Sequence, residues 1–263
     1  MEIHHTAIIE EGARIGRDVS VGPYCHIGAN VRVGDRCILH SHVVASGDTE
    51  IGDGVVVYPF AALGGPPQHV AYRGEETKLI IGAGNVIREH VTMNCGTLEG
   101  GGVTRVGRNG LFMTGSHVAH DCQVGDHAIF ANGACIGGHV VLGDHVFMGG
   151  LSAVHQRTRI GSFAFVGGCA AVTSDIIPYA SVMGNHARLT GLNLIGMKRR
   201  GMSRDSIHLL RSAYRGLFHG DGAFKDRVER VREAFAHSEE AMRIIAFIDE
   251  TAARSLMMPA RTK

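Results

Sequence analysis

Histidine is the side chain whose ordinary pKa lies nearest neutrality, and it serves as base, acid or metal ligand. This chain has 17 of them, unevenly spread. Ser116-His117-Val118-Ala119-His120-Asp121-Cys122 sets two of them three apart, and His139 and His155 follow, with Gln156 beside the last and Gly138 beside His139. A neutral imidazole removes a proton from a hydroxyl at neutral pH. A glycine leaves its backbone N–H open, and an open N–H can stabilise a developing oxyanion. A base beside an oxyanion donor is acyl-transfer machinery. No serine or cysteine is placed as an obvious covalent nucleophile, so the expected reaction is direct attack of an acceptor hydroxyl on a thioester. His120 is the candidate base and Gly138 the candidate donor. Asp121 is a candidate to orient His120, although adjacent side chains often point apart.

These residues converge only if the chain coils, and the sequence has the period of a coil. From Ile9 every sixth residue is Ile15, Val21, Ile27, Val33, Leu39, Ala45, Ile51, Val57 and Leu63. A second run goes from Val106 through Phe112, Val118, Val124, Phe130, Ile136, Leu142, Met148, Val154, Ile160 and Val166 to Val172. Two residues earlier stands a small or β-branched residue, such as Ala13, Val19, Cys25, Val31 or Cys122. Inward positions at i−2 and i are the alternation of a strand with one buried face. Glycine at i+1 is expected to supply the corner through its backbone freedom. Three short strands and three corners make a coil of 18 residues, the pattern of a left-handed parallel β-helix built from hexapeptide repeats, with coils roughly 4.8 Å apart. Adding 18 to His120 gives Gly138 and then Gln156. His117, His120, Gly138, His139, His155 and Gln156 should therefore share the outside of three successive coils.

Two segments break the period: 64–79, with Pro66-Pro67, and the glycine-rich 96–103. Both read as loops thrown out from the prism, where function often lies. The repeat ends near Pro178. Residues 203–218, with Ser203 as N-cap, Asp205 in the first turn and Gly220 past the end, suit a helix. Two more are expected over 223–237 and 238–254. The expected organisation is a β-helix over 1–189 and a small α-helical domain over 190–263.

Thirty-seven glycines and no tryptophan suit a corner-rich solenoid. A net charge of +1 argues against a general nucleic-acid role. No signal-peptide pattern opens the chain, and no apolar run of 18 residues could span a membrane. The six cysteines show no CxxC spacing, and Cys25, Cys37 and Cys122 fall on inward positions. A cytosolic protein with free thiols, no metal site and no cofactor is expected.

On His117-Val-Ala-His120-Asp-Cys122, Gly138-His139-Val140, Ala153-Val154-His155-Gln156, Val166-Gly-Gly-Cys169, Gly184-Asn-His-Ala187 and Met197-Lys-Arg-Arg-Gly201, the chain resembles the UDP-N-acetylglucosamine O-acyltransferases that begin lipid A synthesis. The loops Gly64–Glu75 and Gly100–Gly102 match as well, so the resemblance covers nearly the whole chain. It implies transfer of a (hydroxy)acyl chain from acyl carrier protein to the sugar 3-position of a UDP-sugar acceptor, in a homotrimer with sites between subunits. It implies His120 as base and Gly138 as oxyanion donor. His117, His139, His155, Gln156, Gln68 and His69 would then position the substrates. Asn193, Arg199 and Arg200 would contact the nucleotide, and Gly168 and His186 would end the acyl groove. A basic surface on the helical domain, with Lys198, Arg199, Arg200, Arg204, Arg211 and Arg215, would face the acidic carrier protein.

The chain departs from the family at His69, where an acidic residue is common, and at Ala71, where a lysine is common. It also departs at Ile195 and at Cys95. Loss of the first two contacts suggests an acceptor with an amine in place of the 3-hydroxyl, a 2,3-diamino sugar nucleotide. Two further readings of the histidine cluster are a γ-class carbonic anhydrase, which needs three histidines around zinc with one open position, and a scaffold without catalysis.

Overall fold

The computed structural model describes residues 1–250 and 254–260. Among the described residues, short strands, parallel except for the last, stack into three sheets of 11, 9 and 8 strands, and up to the last pair successive strands of the chain fall in different sheets. In the uninterrupted coils the register advances by one 18-residue coil, as in Glu2 with Ser20 and His117 with Cys135. This is the left-handed parallel β-helix expected from the period.

Both apolar runs point inward. Val21, Ile27, Leu39, Leu63, Phe112, Phe130, Ile136 and Met148 are at most 2% exposed, as are Val19, Cys25, Val43 and Cys122 two residues before core positions. Each large aliphatic side chain so buried stabilises by about 1.5–3 kcal/mol. Ile9, Ile15 and Ala13, at the open first coil, are only partly covered. Inward thiols find carbonyls: Cys25 donates to His40 O at 2.8 Å and Cys122 to Gly137 O at 3.1 Å.

The glycine after each core residue has a different reason from the expected one. The left-handed backbone falls two residues later, and side chains occupy it: Tyr24, Arg36, His42, Phe60, Asp121, His127, His139 and Arg157 all have φ between 56° and 64° or close to it. Gly16, Gly34 and Gly125 have no positive φ. A Cβ on Gly16 would sit 2.6 Å from Gly34 C, and one on Gly125 would sit 2.6 Å from Gly143 C. Glycine is needed there because neighbouring coils pass too close for a side chain.

The two interruptions are insertions between strands of the eight- and nine-stranded sheets. Ala62–Gly65 and Lys78–Ile81 flank the first, and Thr92–Asn94 and Val103–Val106 the second. Thr92 accordingly pairs with His117 rather than with a residue 18 positions on. The first loop is pinned where the Asn94 amide donates to Pro66 O at 2.8 Å.

The sheet outlasts the repeat. Ala180–Met183 extends it in parallel, and Arg188–Leu192 turns back antiparallel against it, spanning the division expected between 189 and 190. Then come α1 (Leu194–Arg199), α2 (Arg204–His219), α3 (Phe224–Ala234) and α4 (Glu239–Asp249). Ser203 and Ser238 cap α2 and α4 by accepting from Ser206 N and Ala241 N. The rest of the helix expected over 238–254 includes 251–253, which lie outside the described residues. Arg159 ties the prism to the helices: it donates to buried Asp175 at 2.8 Å, to Glu250 at 2.6 Å and to Phe247 O at 3.1 Å.

Candidate active site

The corner leaving the nine-stranded sheet carries His120, Gly138 and Gln156 on consecutive coils. His139 N donates to His120 O, and Arg157 N to Gly138 O, at 3.0 and 2.9 Å, which stacks the three corners directly. His117, His120, Gly138, His155, Gln156 and Gln68 line one open hollow of about 420 Å³. His117 comes from the strand floor, where its Nδ1 meets Thr92 Oγ1 at 2.7 Å. Gln68 comes from the proline-containing loop. The next residue, His69, sets its ring edge-on to His120, with centroids 5.2 Å apart. His139 stands edge-on to His120 from the other side, at 5.1 Å.

His120 is outside the prism yet only 8% of its side chain is exposed. Its Nδ1 lies 2.7 Å from Asp121 Oδ2. A carboxylate oxygen accepts, so Nδ1 donates, and in a neutral imidazole so arranged Nε2 carries the lone pair. Nε2 makes no hydrogen bond among the described residues. The adjacent pair meets because Asp121 has φ 60°; the left-handed turn folds its carboxylate back under the imidazole. Asp121 also accepts from Thr97 N and Thr97 Oγ1, both at 2.7 Å. The sequence left Asp121 open; its placement is decided by a backbone angle and by a loop residue 24 positions away.

Gly138 fits against this ring. A Cβ there would lie 2.6 Å from His120 Nε2. At the corner leaving the eight-stranded sheet, the equivalent backbone N–H is closed by a side chain of the next coil: Arg17 N donates to Asp35, Arg108 N to Asp126 and Asp126 N to Asp144, at 2.7–2.8 Å. The N–H of Gly138 has no such partner among the described residues. His120 Nε2 and an open amide therefore share one small hollow. Burial pushes the His117 and His139 imidazoles below the usual histidine range, although Asp121 pulls His139 the other way. Both favour the neutral form, able to donate and to accept a hydrogen bond.

One nitrogen each of His120 and His139 and an oxygen of Asp121 lie within 4.8 Å of one another, close enough to hold a cation. Asp121 Oδ2 is already engaged by the His120 ring and the Thr97 hydroxyl, so the arrangement is that of a hydrogen-bonded dyad. Arg254, unforeseen from the sequence, reaches the rim from beyond the helices, with Nε 3.2 Å from Gln156 O and its guanidinium against His155 Nδ1.

The remaining candidates stand elsewhere on this chain. Asn193 caps α1, accepting from Gly196 N and donating to Phe163 O, both at 2.9 Å. Arg199 is exposed in the last turn of α1, and Arg200 follows, its guanidinium 5.8 Å from the Phe163 ring centre. These lie at the corner leaving the eight-stranded sheet. Gly168 is exposed at the third corner, near Gly150 O, and His186 is exposed, bridged to Ala171. The strand face between Gly168 and the His120 corner carries only small side chains beyond His117: Cys135, Ala153 and Ala171.

Residues 175–257 match the family described as UDP N-acetylglucosamine O-acyltransferase, domain 2, and residues 12–47 match the bacterial transferase hexapeptide family of six repeats. The chain is 55% identical to the acyl-carrier-protein–UDP-N-acetylglucosamine O-acyltransferase of Caulobacter vibrioides, covering 99% of each. It is 57% identical to that of Azorhizobium caulinodans, over 98% of this chain and 96% of the relative. The solved UDP-N-acetylglucosamine acyltransferase of Campylobacter jejuni superposes with a TM-score of 0.92 at 35% identity, covering 98% and 99% of the two chains. That of Francisella novicida gives 0.95 at 30% identity, over 98% and 95%. With relatives more than half identical over nearly the whole chain and solved structures that superpose on its coil and helical end, this chain belongs to the UDP-N-acetylglucosamine O-acyltransferases, enzymes of lipid A synthesis.

Proposed function

We propose that the protein moves an acyl chain from the thioester of acyl carrier protein to the 3-position of UDP-N-acetylglucosamine, with His120 as general base. The carrying observation is the pairing of an unengaged His120 Nε2 with the open Gly138 N–H across a distance too small for any side chain. Nε2 takes the proton of the acceptor hydroxyl as its oxygen attacks the thioester carbonyl. The Gly138 N–H donates to the oxygen that gains charge. Asp121 accepts from Nδ1 and steadies the imidazolium. Collapse of the tetrahedral intermediate releases the carrier thiolate, which recovers the proton from Nε2. Gln68, His69, His117 and His155 line the acceptor's approach, and Cys135, Ala153 and Ala171 floor a strip along which an acyl chain fits.

The nucleotide candidates and His120 occupy different corners of one chain, which favours a homotrimer whose neighbours bring corners together. Tyr24, Phe60 and Leu151, all more than half exposed along the third corner, give it an apolar seam to bury. No helix among the described residues is long and apolar enough to cross a membrane, in keeping with work at carrier protein and sugar nucleotide in the cytoplasm. The test is product analysis: purified protein with hydroxyacyl carrier protein and UDP-N-acetylglucosamine should yield the 3-O-acyl sugar nucleotide, and no transfer would defeat the reading.

His69, edge-on to His120 where the family commonly has an acidic residue, favours a second reading for the acceptor. A 3-amine would then take the acyl chain from the same thioester, with His120 receiving its proton. Side-by-side turnover of the hydroxyl and amino sugar nucleotides separates the two; a clear preference for the hydroxyl sugar sinks the second.

A further inference from the structure

The glycine-rich insertion over 95–102 closes on one group, the Asp121 carboxylate. Thr97 N donates to Oδ1 and the Thr97 hydroxyl to Oδ2, each at 2.7 Å. The hydroxyl in turn accepts from Gly100 N at 3.2 Å, which aims its hydrogen at Asp121. From below, Asp121 N donates to buried Thr104 Oγ1 at 2.7 Å. The Asp121 side chain is fully buried. A Cβ on Gly96 would sit 2.8 Å from Oδ1, and one on Gly100 would overlap the carboxylate itself. Neither glycine has the left-handed backbone of Gly101 and Gly102. They are glycines because the turn is wrapped tightly around a carboxylate.

We propose that Thr97 is a positioning residue for the acyl transfer, acting through Asp121 on His120. The inference rests on His120 being the general base. Oδ2 is shared between two donors, the Thr97 hydroxyl and the His120 Nδ1–H. A carboxylate oxygen that loses one donor is left more available to the other. Without the hydroxyl, Asp121 draws harder on His120 and holds its protonated form more tightly. The base is then occupied by a proton over a wider acidic range, and the carboxylate is freer to swing. Thr97 thus both fixes the dyad and restrains it.

The test compares wild type with Thr97→Val, Thr97→Ser and Gly100→Ala in steady-state acyl transfer across pH. In Thr97→Val the acid limb of the kcat/KM profile should move to higher pH. Its plateau kcat should fall on the order of 10-fold, at the low end of what a disturbed general base costs, with KM for the sugar nucleotide little changed. Thr97→Ser, which keeps the hydroxyl, should follow wild type. Gly100→Ala, whose methyl displaces the turn, should fall at least as far as Thr97→Val. Superposed profiles for Thr97→Val and wild type would overturn the proposal. So would equal losses in the Val and Ser variants with an unmoved acid limb, the mark of a merely structural residue. Failure of the general-base reading itself would be seen separately, as turnover retained by His120→Ala.

Discussion

Replacing Gly138 with alanine puts a methyl group where the His120 ring already stands. The added Cβ would lie 2.6 Å from Nε2 and 3.0 Å from Nδ1, against the roughly 3.5 Å at which such atoms rest comfortably. The backbone at 138 is not left-handed, so alanine adds no conformational penalty and the ring is what must give. His120 cannot retreat without breaking its 2.7 Å bond to Asp121, which Thr97 holds in turn. The expected relief is rotation of the imidazole away from the hollow. That costs about one hydrogen bond, 0.5–1.5 kcal/mol, and a few degrees of melting temperature at most. The effect on rate is far larger. Losing an oxyanion donor costs about 100–1,000-fold and losing a general base about 100–10,000-fold. The two failures share one cause and do not multiply, so kcat should fall at least about 100-fold. The assay is radiolabelled acyl transfer at saturating substrates, with melting curves beside it. Gly28→Ala is the control, because its Cβ would come no nearer than 3.4 Å to Ser46 Cα; it should keep wild-type turnover. Activity of Gly138→Ala within about threefold of wild type would refute the idea that this glycine serves the His120 site.

Asp121→Asn keeps the shape of the side chain but replaces an acceptor-only group; kcat should drop by at least about 10-fold with KM little altered, measured by the same assay. The account of the corner glycines is checked by thermal unfolding of two variants. Gly34→Ala should destabilise by about 2 kcal/mol or more through collision with the next coil, whereas Gly54→Asn, at φ 64° with open space around its missing Cβ, should be tolerated. His145 stacks between His127 and Phe163 at 4.6 and 5.0 Å, with a buried Nδ1 that has no hydrogen-bond partner among the described residues. Burial lowers its folded-state pKa, so its contribution to stability is complete above the ordinary imidazole range and declines as pH falls through it. His145→Phe should therefore raise the melting temperature, and by more at pH 5.5 than at pH 8.

The inward residues, the three sheets and the His120–Gly138–Gln156 column follow from a six-residue period, because a uniform coil turns sequence distance into vertical distance. The period is silent about what interrupts it. Thr97 lies in the insertion that breaks the register, so no coil arithmetic leads from it to Asp121. The Asp121–His120 contact needs a left-handed residue, and the same corner angle is taken by tyrosine, arginine and histidine alike, so residue type does not announce it. Glycine misled in the opposite way: its conformational freedom was the obvious reason for the repeat, yet Gly16, Gly34 and Gly125 are required by the backbone of the next coil. α1 is not legible because six residues are too few to show a helical stripe. Arg254 approaches His155 from 99 positions away, a contact set by how the helices fold back.

The claim on which the chemistry rests is that residue 120 accepts the acceptor's proton. Acyl transfer by His120→Ala, measured against wild type with circular dichroism to confirm the coil, tests it directly. The expected result is a loss of at least about 100-fold in kcat with an unchanged spectrum. Near-normal turnover by the folded variant would contradict it.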